Sequence, residues 1–121
     1  HMARARGKDG LDQPAFKILL DLLKDDRFWV KLCSFDKISA TPKAHVEGSL
    51  PFMDMVPFAQ AVIDVAPDRV LWGTDWPHAN TFVPGRTPNE GDLLNLLAVI
   101  APDAATRTKI LVDNPARMFG F

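Results

Sequence analysis

Only two segments of this chain have the composition of β-strands, and this shortage constrains the fold more than any other feature. Residues 28–33 and 69–74 are runs rich in aromatic and aliphatic residues, and the second is apolar enough for a strand buried on both faces. Apolar residues spaced three and four apart predict helices at 13–24, 51–66, about 90–100 and about 104–112. Alternating helices and strands predict an α/β fold whose parallel strands are joined by helical crossovers.

Two parallel strands cannot cover the apolar faces of four helices, so most of the expected sheet is missing from these 121 residues. We therefore expect the chain either to be part of a larger fold or to complete its sheet by association. Residues 34–50 and 75–89 are predicted as loops that are long enough to be functional. The predicted helix caps are Asp12, Asp54, Asp103 and Asn114.

The charge balance and the composition exclude several classes of protein. Fourteen basic and 15 acidic residues give a formal net charge of −1, which provides no basic surface for nucleic acid. No apolar run approaches the roughly 18 residues of a membrane span, and residues 1–10 lack the apolar core of a signal peptide. The single cysteine, Cys33, cannot form an internal disulfide, which favours a reducing, cytoplasmic location.

The second predicted strand leads directly into Asp75-Trp76-Pro77-His78. In α/β folds, reactive groups lie at the carboxyl ends of parallel strands, where the strand holds the side chain in a fixed position. An aspartate at that place can activate water as a general base or bind a metal ion. The alternative is that Asp75 only caps a turn through its own backbone.

The string VLWGTDWPH at 70–78 resembles the eighth-strand motif of the amidohydrolase superfamily, in the branch that contains 2-pyrone-4,6-dicarboxylate hydrolase and other lactonases. Residues 91–97 and 110–121 are similar to the helix and the closing segment that follow this strand. Residues 28–34 resemble the seventh strand. The resemblance implies that residues 1–121 are the C-terminal part of a (β/α)₈ TIM-like barrel, containing strands seven and eight with their flanking helices.

The resemblance also implies a hydrolase with two catalytic residues in this chain. Asp75 matches the strand-eight aspartate that serves as general base towards the water attacking the lactone. The string His1-Met2-Ala3-Arg4 is similar to the end of strand six, where a histidine polarises the substrate carbonyl. His1-Met2 is also what a cleaved expression tag leaves behind, and on that interpretation His1 has no function.

Four further residues match positions that contact a small anionic substrate in this family. Lys37 takes the place of a basic residue, usually arginine, that binds a substrate carboxylate. Arg4 follows the predicted catalytic histidine, and His78 and Asn80 lie in the loop after strand eight. The partner implied is therefore a small carboxylated lactone, together with the remainder of the barrel or a second copy of the chain.

The resemblance implies catalysis without a metal, because the lactonase branch works without one. The His-x-His pair of the superfamily's first strand is also absent from this sequence. Two alternatives remain open. The chain is either a barrel fragment that is inactive and only structural or self-associating, or part of a decarboxylase that uses zinc or manganese.

Overall fold

A computed structural model describes residues 1–41, 47–79 and 85–121 of the chain. These residues form two short strands and six helices, in the predicted alternating order except for one short helix directly after the first strand. They are α1 (Pro14–Leu22), β1 (Val30–Leu32), α2 (Phe35–Ile38), α3 (Val56–Val65), β2 (Val70–Trp72), α4 (Glu90–Ile100), α5 (Ala104–Thr108) and α6 (Asn114–Phe119). The last two helices are joined by a π-helical turn at Lys109–Asp113.

The two strands pair in parallel, as predicted, with Val30 opposite Val70 and Leu32 opposite Trp72. The chain passes from one strand to the other through α3, whose apolar face contributes Phe58 and Val62 to the core. The strands are shorter than the predicted runs. Their carboxyl ends point to the same edge of the sheet, so the segments that follow them lie side by side.

The core lies between the sheet and the helices and contains residues from nearly every element. Phe16 of α1 contacts Phe58 of α3 edge to face, with ring centroids 5.0 Å apart. Met2 and Ala5, which precede α1, are also fully buried. The N-terminal residues are therefore packed into the fold, which supports the interpretation that His1 and Met2 belong to it.

Three of the four predicted helix caps are wrong, and Asp12 and Asp54 are the first two. Helix α1 is capped at Gln13, while Asp12 pairs with Lys17 at the surface. The Gln13 side chain instead binds back to the preceding loop, where it bonds both the backbone N–H and C=O of Arg6 at 2.9 Å. Asp54 lies within a 3₁₀ turn before α3, and its carboxylate accepts hydrogen bonds from Ser39 and Ala40.

The two other predicted caps had different outcomes. Asp103 caps α5 as expected, because its carboxylate accepts from the backbone N–H of Thr106 at 2.8 Å. Asn114 caps nothing: its side chain is buried and donates hydrogen bonds to the carbonyls of Pro67 and Val70, on either side of the turn that enters β2. Among the described residues, no helix has the length and apolar character needed to cross a bilayer.

Candidate active site

The parallel pairing of β1 and β2 places Ser34 and Asp75 next to each other just beyond the strand ends. Gly73 N–H donates to the carbonyl of Leu32 at 3.1 Å, which continues the pairing up to this point. Both residues then adopt left-handed backbone conformations, with φ of 61° at Ser34 and 72° at Asp75. Because such conformations are uncommon for residues with a side chain, the two positions where the chain leaves the sheet are tightly specified.

Lys37 is held against Asp75 by a short helix that the sequence did not predict. Helix α2 begins directly after Ser34, inside the segment 34–50 that was expected to be a loop. It places the Lys37 Nζ 2.6 Å from Asp75 Oδ2, and only 18% of the Asp75 side chain is exposed. The lysine predicted to bind a substrate carboxylate is therefore the counter-ion of the predicted general base.

Opposing effects act on the pKa of Asp75. Burial raises the pKa of the carboxyl, but hydrogen bonds from Lys37 and Ser34, aided by the charges of Lys37 and His78, outweigh it. The net result is a pKa below the ordinary aspartate value, so Asp75 is ionised at neutral pH. An ionised carboxylate is the form that a general base requires.

His1 lies on the other side of Asp75. Its Nε2 is 3.9 Å from Asp75 Oδ1, and its Nδ1 contacts the sulfur of Cys33, the buried residue that follows β1. Ala3 and Arg4 have φ values of 49° and 55°. This sharp turn allows the chain to bury Met2 and Ala5 while His1 and Arg4 face outward.

These residues surround a cavity of about 410 Å³, a size suited to a small ligand. Four of the residues lining it are basic or can become so, and the lining consists of His1, Arg4, Arg6, Ser34, Lys37 and Ile38. Asp75 is not among the lining residues but pairs with two of them, Lys37 and His1. The structure therefore brings together four of the six predicted site residues, and adds Ser34, whose role the sequence did not indicate.

Of the two residues predicted to contact substrate after strand eight, the structure describes His78 but not Asn80. The His78 side chain is only 2% exposed, and its Nε2 lies 2.9 Å from Oε1 of Glu90, in the first turn of α4. It does not line the cavity, although its charge contributes to the low pKa of Asp75. The sequence did not predict the contact between Glu90 and His78, because the two residues lie 12 positions apart in different elements. Asn80 lies outside the described residues.

Within the described part of the chain, His1, Cys33 and Asp75 are the group that could ligate a metal. Each offers one ligand atom, and these atoms lie within 4.8 Å of one another. Imidazole, thiolate and carboxylate together would suit zinc. One observation disfavours this use: Asp75 is already paired with the Lys37 ammonium at 2.6 Å, which a metal ion would have to displace.

Residues 1–121 match the family described as amidohydrolase over their full length. The chain belongs to the amidohydrolase family. The matched region includes His1 and Met2, which agrees with the burial of Met2 in the core. The fold is correspondingly a part of the TIM barrel of this family, with two parallel strands and helical crossovers, as the sequence predicted.

This amidohydrolase chain is similar to named lactone hydrolases. A 4-sulfomuconolactone hydrolase from Rhizobium radiobacter is 52% identical over 120 residues, covering 99% of this chain and 38% of that protein. A 2-pyrone-4,6-dicarboxylate hydrolase from Comamonas testosteroni is 39% identical over 121 residues, covering 98% and 39%. The predicted resemblance to this branch of the superfamily is thereby confirmed.

The fold agrees with that of solved relatives. An apo crystal structure from Agrobacterium tumefaciens superposes with a TM-score of 0.71 at 28% identity, covering 93% of this chain and 37% of that one. The chain thus spans between 37% and 39% of the length of these relatives.

Proposed function

We propose that the protein containing this amidohydrolase segment hydrolyses a small lactone that carries carboxylate or sulfonate groups. The observation that carries the proposal is the position of an ionised Asp75 between Lys37 and His1, two residues of a basic cavity. The relatives named for 4-sulfomuconolactone and 2-pyrone-4,6-dicarboxylate support the same substrate class.

In the proposed reaction Asp75 takes a proton from water, and the water oxygen attacks the lactone carbonyl carbon. His1 polarises the carbonyl through its Nε2, the nitrogen that faces Asp75 at 3.9 Å. The bond between the carbonyl carbon and the ring oxygen then breaks, and Asp75 returns its proton to the leaving oxygen. The product is an open chain with a new hydroxyl and a new carboxylic acid, which becomes a carboxylate when it releases its proton to solvent.

Arg4, Arg6 and Lys37 would bind the anionic groups of the substrate, since all three line the cavity. Arginine suits a carboxylate or sulfonate because its planar guanidinium forms two parallel hydrogen bonds. Lys37 pairs with Asp75 in the free protein, so to bind the substrate it must exchange this hydrogen bond for one to the substrate anion. The incoming anion would then leave Asp75 without its counter-ion and make it a stronger base.

The experiment compares ring opening of 2-pyrone-4,6-dicarboxylate and 4-sulfomuconolactone with that of uncharged 2-pyrone by the intact protein. We expect hydrolysis of at least one anionic lactone and little or none of the uncharged ring. Arg4→Gln should raise KM, whereas Arg27→Gln should not, because Arg27 pairs with Asp25 at the surface. Failure to open either anionic lactone would refute the proposal.

A metal-dependent decarboxylase of the same superfamily is the second candidate, and the His1, Cys33 and Asp75 cluster is the observation that favours it. We propose that no metal is needed, because Lys37 already neutralises Asp75 at 2.6 Å. Activity should therefore survive EDTA. A loss of activity that zinc or manganese restores would favour the decarboxylase.

A further inference from the structure

Cys33 is the buried neighbour of His1 and has no task in the reaction proposed above. It follows β1, is fully buried, and its sulfur contacts His1 Nδ1 across 32 residues of sequence. The opposite ring nitrogen, Nε2, faces Asp75. The imidazole is thus held between a thiol on one side and a carboxylate on the other.

This arrangement determines which nitrogen of a neutral His1 carries the proton. If Nε2 were unprotonated, its lone pair would face the ionised carboxylate of Asp75 at 3.9 Å, which is repulsive. A proton on Nε2 makes the same contact attractive. Nδ1 must then accept a hydrogen bond, and the S–H of Cys33 is the donor that touches it.

The thiol is placed to donate, because Cys33 is fully buried and its sulfur contacts Nδ1 of the ring. The same burial keeps Cys33 from reaching a substrate, which is consistent with a role through its neighbour.

We propose that Cys33 is a positioning residue that holds His1 in the tautomer with the proton on Nε2. Only this tautomer presents an N–H on the side of Asp75, where the carbonyl attacked by the activated water would lie. The inference rests on the proposed function of His1 as the group that polarises this carbonyl. Replacing the thiol would release the ring to exchange tautomers and to rotate, although it removes no group that touches substrate.

The test compares Cys33→Ser, which keeps a hydroxyl donor, with Cys33→Val, which fills a similar volume without one. In the intact protein we expect Cys33→Val to lower kcat about 10- to 100-fold, as loss of a supporting hydrogen bond commonly does, with little change in KM. Cys33→Ser should restore most of kcat. Melting temperatures of both variants control for packing, and Cys33→Ala replaces Cys33→Val if the latter does not fold.

The tautomer itself is read from the ¹⁵N chemical shifts of histidine-labelled protein, with His1 assigned through His1→Gln. We expect the Nε2–H pattern in the wild type and in Cys33→Ser, and a mixture of tautomers in Cys33→Val. A wild-type His1 that is protonated on Nδ1, or on both nitrogens, would overturn the role of Cys33. An unchanged tautomer and kcat in Cys33→Val would do the same.

Each of the two proposals can be refuted without refuting the other. If His1→Gln left kcat unchanged, the polarising role of His1 would be wrong, while the ¹⁵N shifts would still decide whether Cys33 sets the tautomer. If the shifts contradicted the tautomer, hydrolysis of anionic lactones by Asp75 would remain untouched.

Discussion

Asp75 meets two requirements that conflict in most proteins, since it is largely buried and yet ionised. Burial raises the pKa of its carboxyl, but hydrogen bonds from Lys37 and Ser34, together with the charges of Lys37 and His78, lower the pKa further than burial raises it. The backbone contributes by holding Asp75 at a φ of 72°, where the side chain is placed between Lys37 and His1. The environment of one residue therefore accounts for the base that the proposed reaction needs.

At the residue scale, the first prediction is that Asp75→Asn removes most of the activity. The amide keeps the size of the side chain but cannot accept the proton of water, so kcat should fall by about 10²–10⁴ in the intact protein. The control is Asp68→Asn, because Asp68 also pairs with a lysine, Lys109 at 2.7 Å, but lies at the surface. A kcat within a few-fold of wild type, with unchanged circular dichroism, would mean that Asp75 only caps a turn and is not the general base.

The second prediction concerns the pH dependence of kcat/KM, which reports the pKa values of the free enzyme. Because Asp75 must be ionised to act, activity falls on the acidic side as the carboxylate gains a proton. The low pKa of Asp75 places this fall at a lower pH than for an ordinary aspartate. Lys37→Met removes a bond and a charge that lower the pKa and leaves burial in place, so the acidic limb should move to higher pH.

Lys37→Arg is the matched variant for this measurement. It retains a cation beside Asp75, so the acidic limb should stay close to that of the wild type even if KM changes. An acidic limb that does not move in Lys37→Met would show that the pair at 2.6 Å does not control the ionisation of Asp75.

At the scale of elements, α6 is attached to the strand that carries the site. The buried side chain of Asn114 donates to the carbonyls of Pro67 at 3.0 Å and Val70 at 2.8 Å. These two bonds hold the turn that enters β2. Arg117 of the same helix also donates to the carbonyl of Asp68. The closing helix therefore stabilises the strand from outside the sheet.

We expect Asn114→Ala to lower the free energy of unfolding by about 1–3 kcal/mol, because two carbonyls lose the donor that satisfies them. Urea denaturation of the intact protein measures this change. The control is Asp113→Ala, since Asp113 is exposed and its side chain makes no capping bond to α6. Equal stability of the two variants would contradict the role given to Asn114.

At the scale of the whole molecule, the described residues form a sheet of two strands, whereas a complete barrel of this kind has eight. Large apolar side chains remain exposed, among them Trp76 beside the site and Phe121, which is 83% exposed. Apolar surface and unpaired strand edges favour association with another chain or another part of the same barrel.

We therefore predict that the 121-residue chain by itself, with a mass of 13.4 kDa, self-associates. Sedimentation velocity over a range of concentrations should show species heavier than the monomer. A compact monomer that persists at all concentrations would contradict the prediction and show that this part of the barrel is a stable unit.

The sequence alone determined the features that depend on neighbouring residues along the chain. Helical periodicity located α1, α3 and α4, and the apolar run before Asp75 located β2. The string around Asp75 also indicated the family, which the match over residues 1–121 confirmed. These features were predictable because the pattern of apolar residues expresses local backbone geometry.

The contacts between polar groups, by contrast, depend on how distant segments pack. Lys37 and Asp75 are 38 residues apart, and His1 and Cys33 are 32 apart, so their pairing depends on the parallel register of β1 and β2. Asn114 was predicted as a cap because its side chain suits one, but burial against the turn before β2 gave it a different task. A sequence shows which side chains can form hydrogen bonds, whereas the packing of distant segments decides which of those bonds are made.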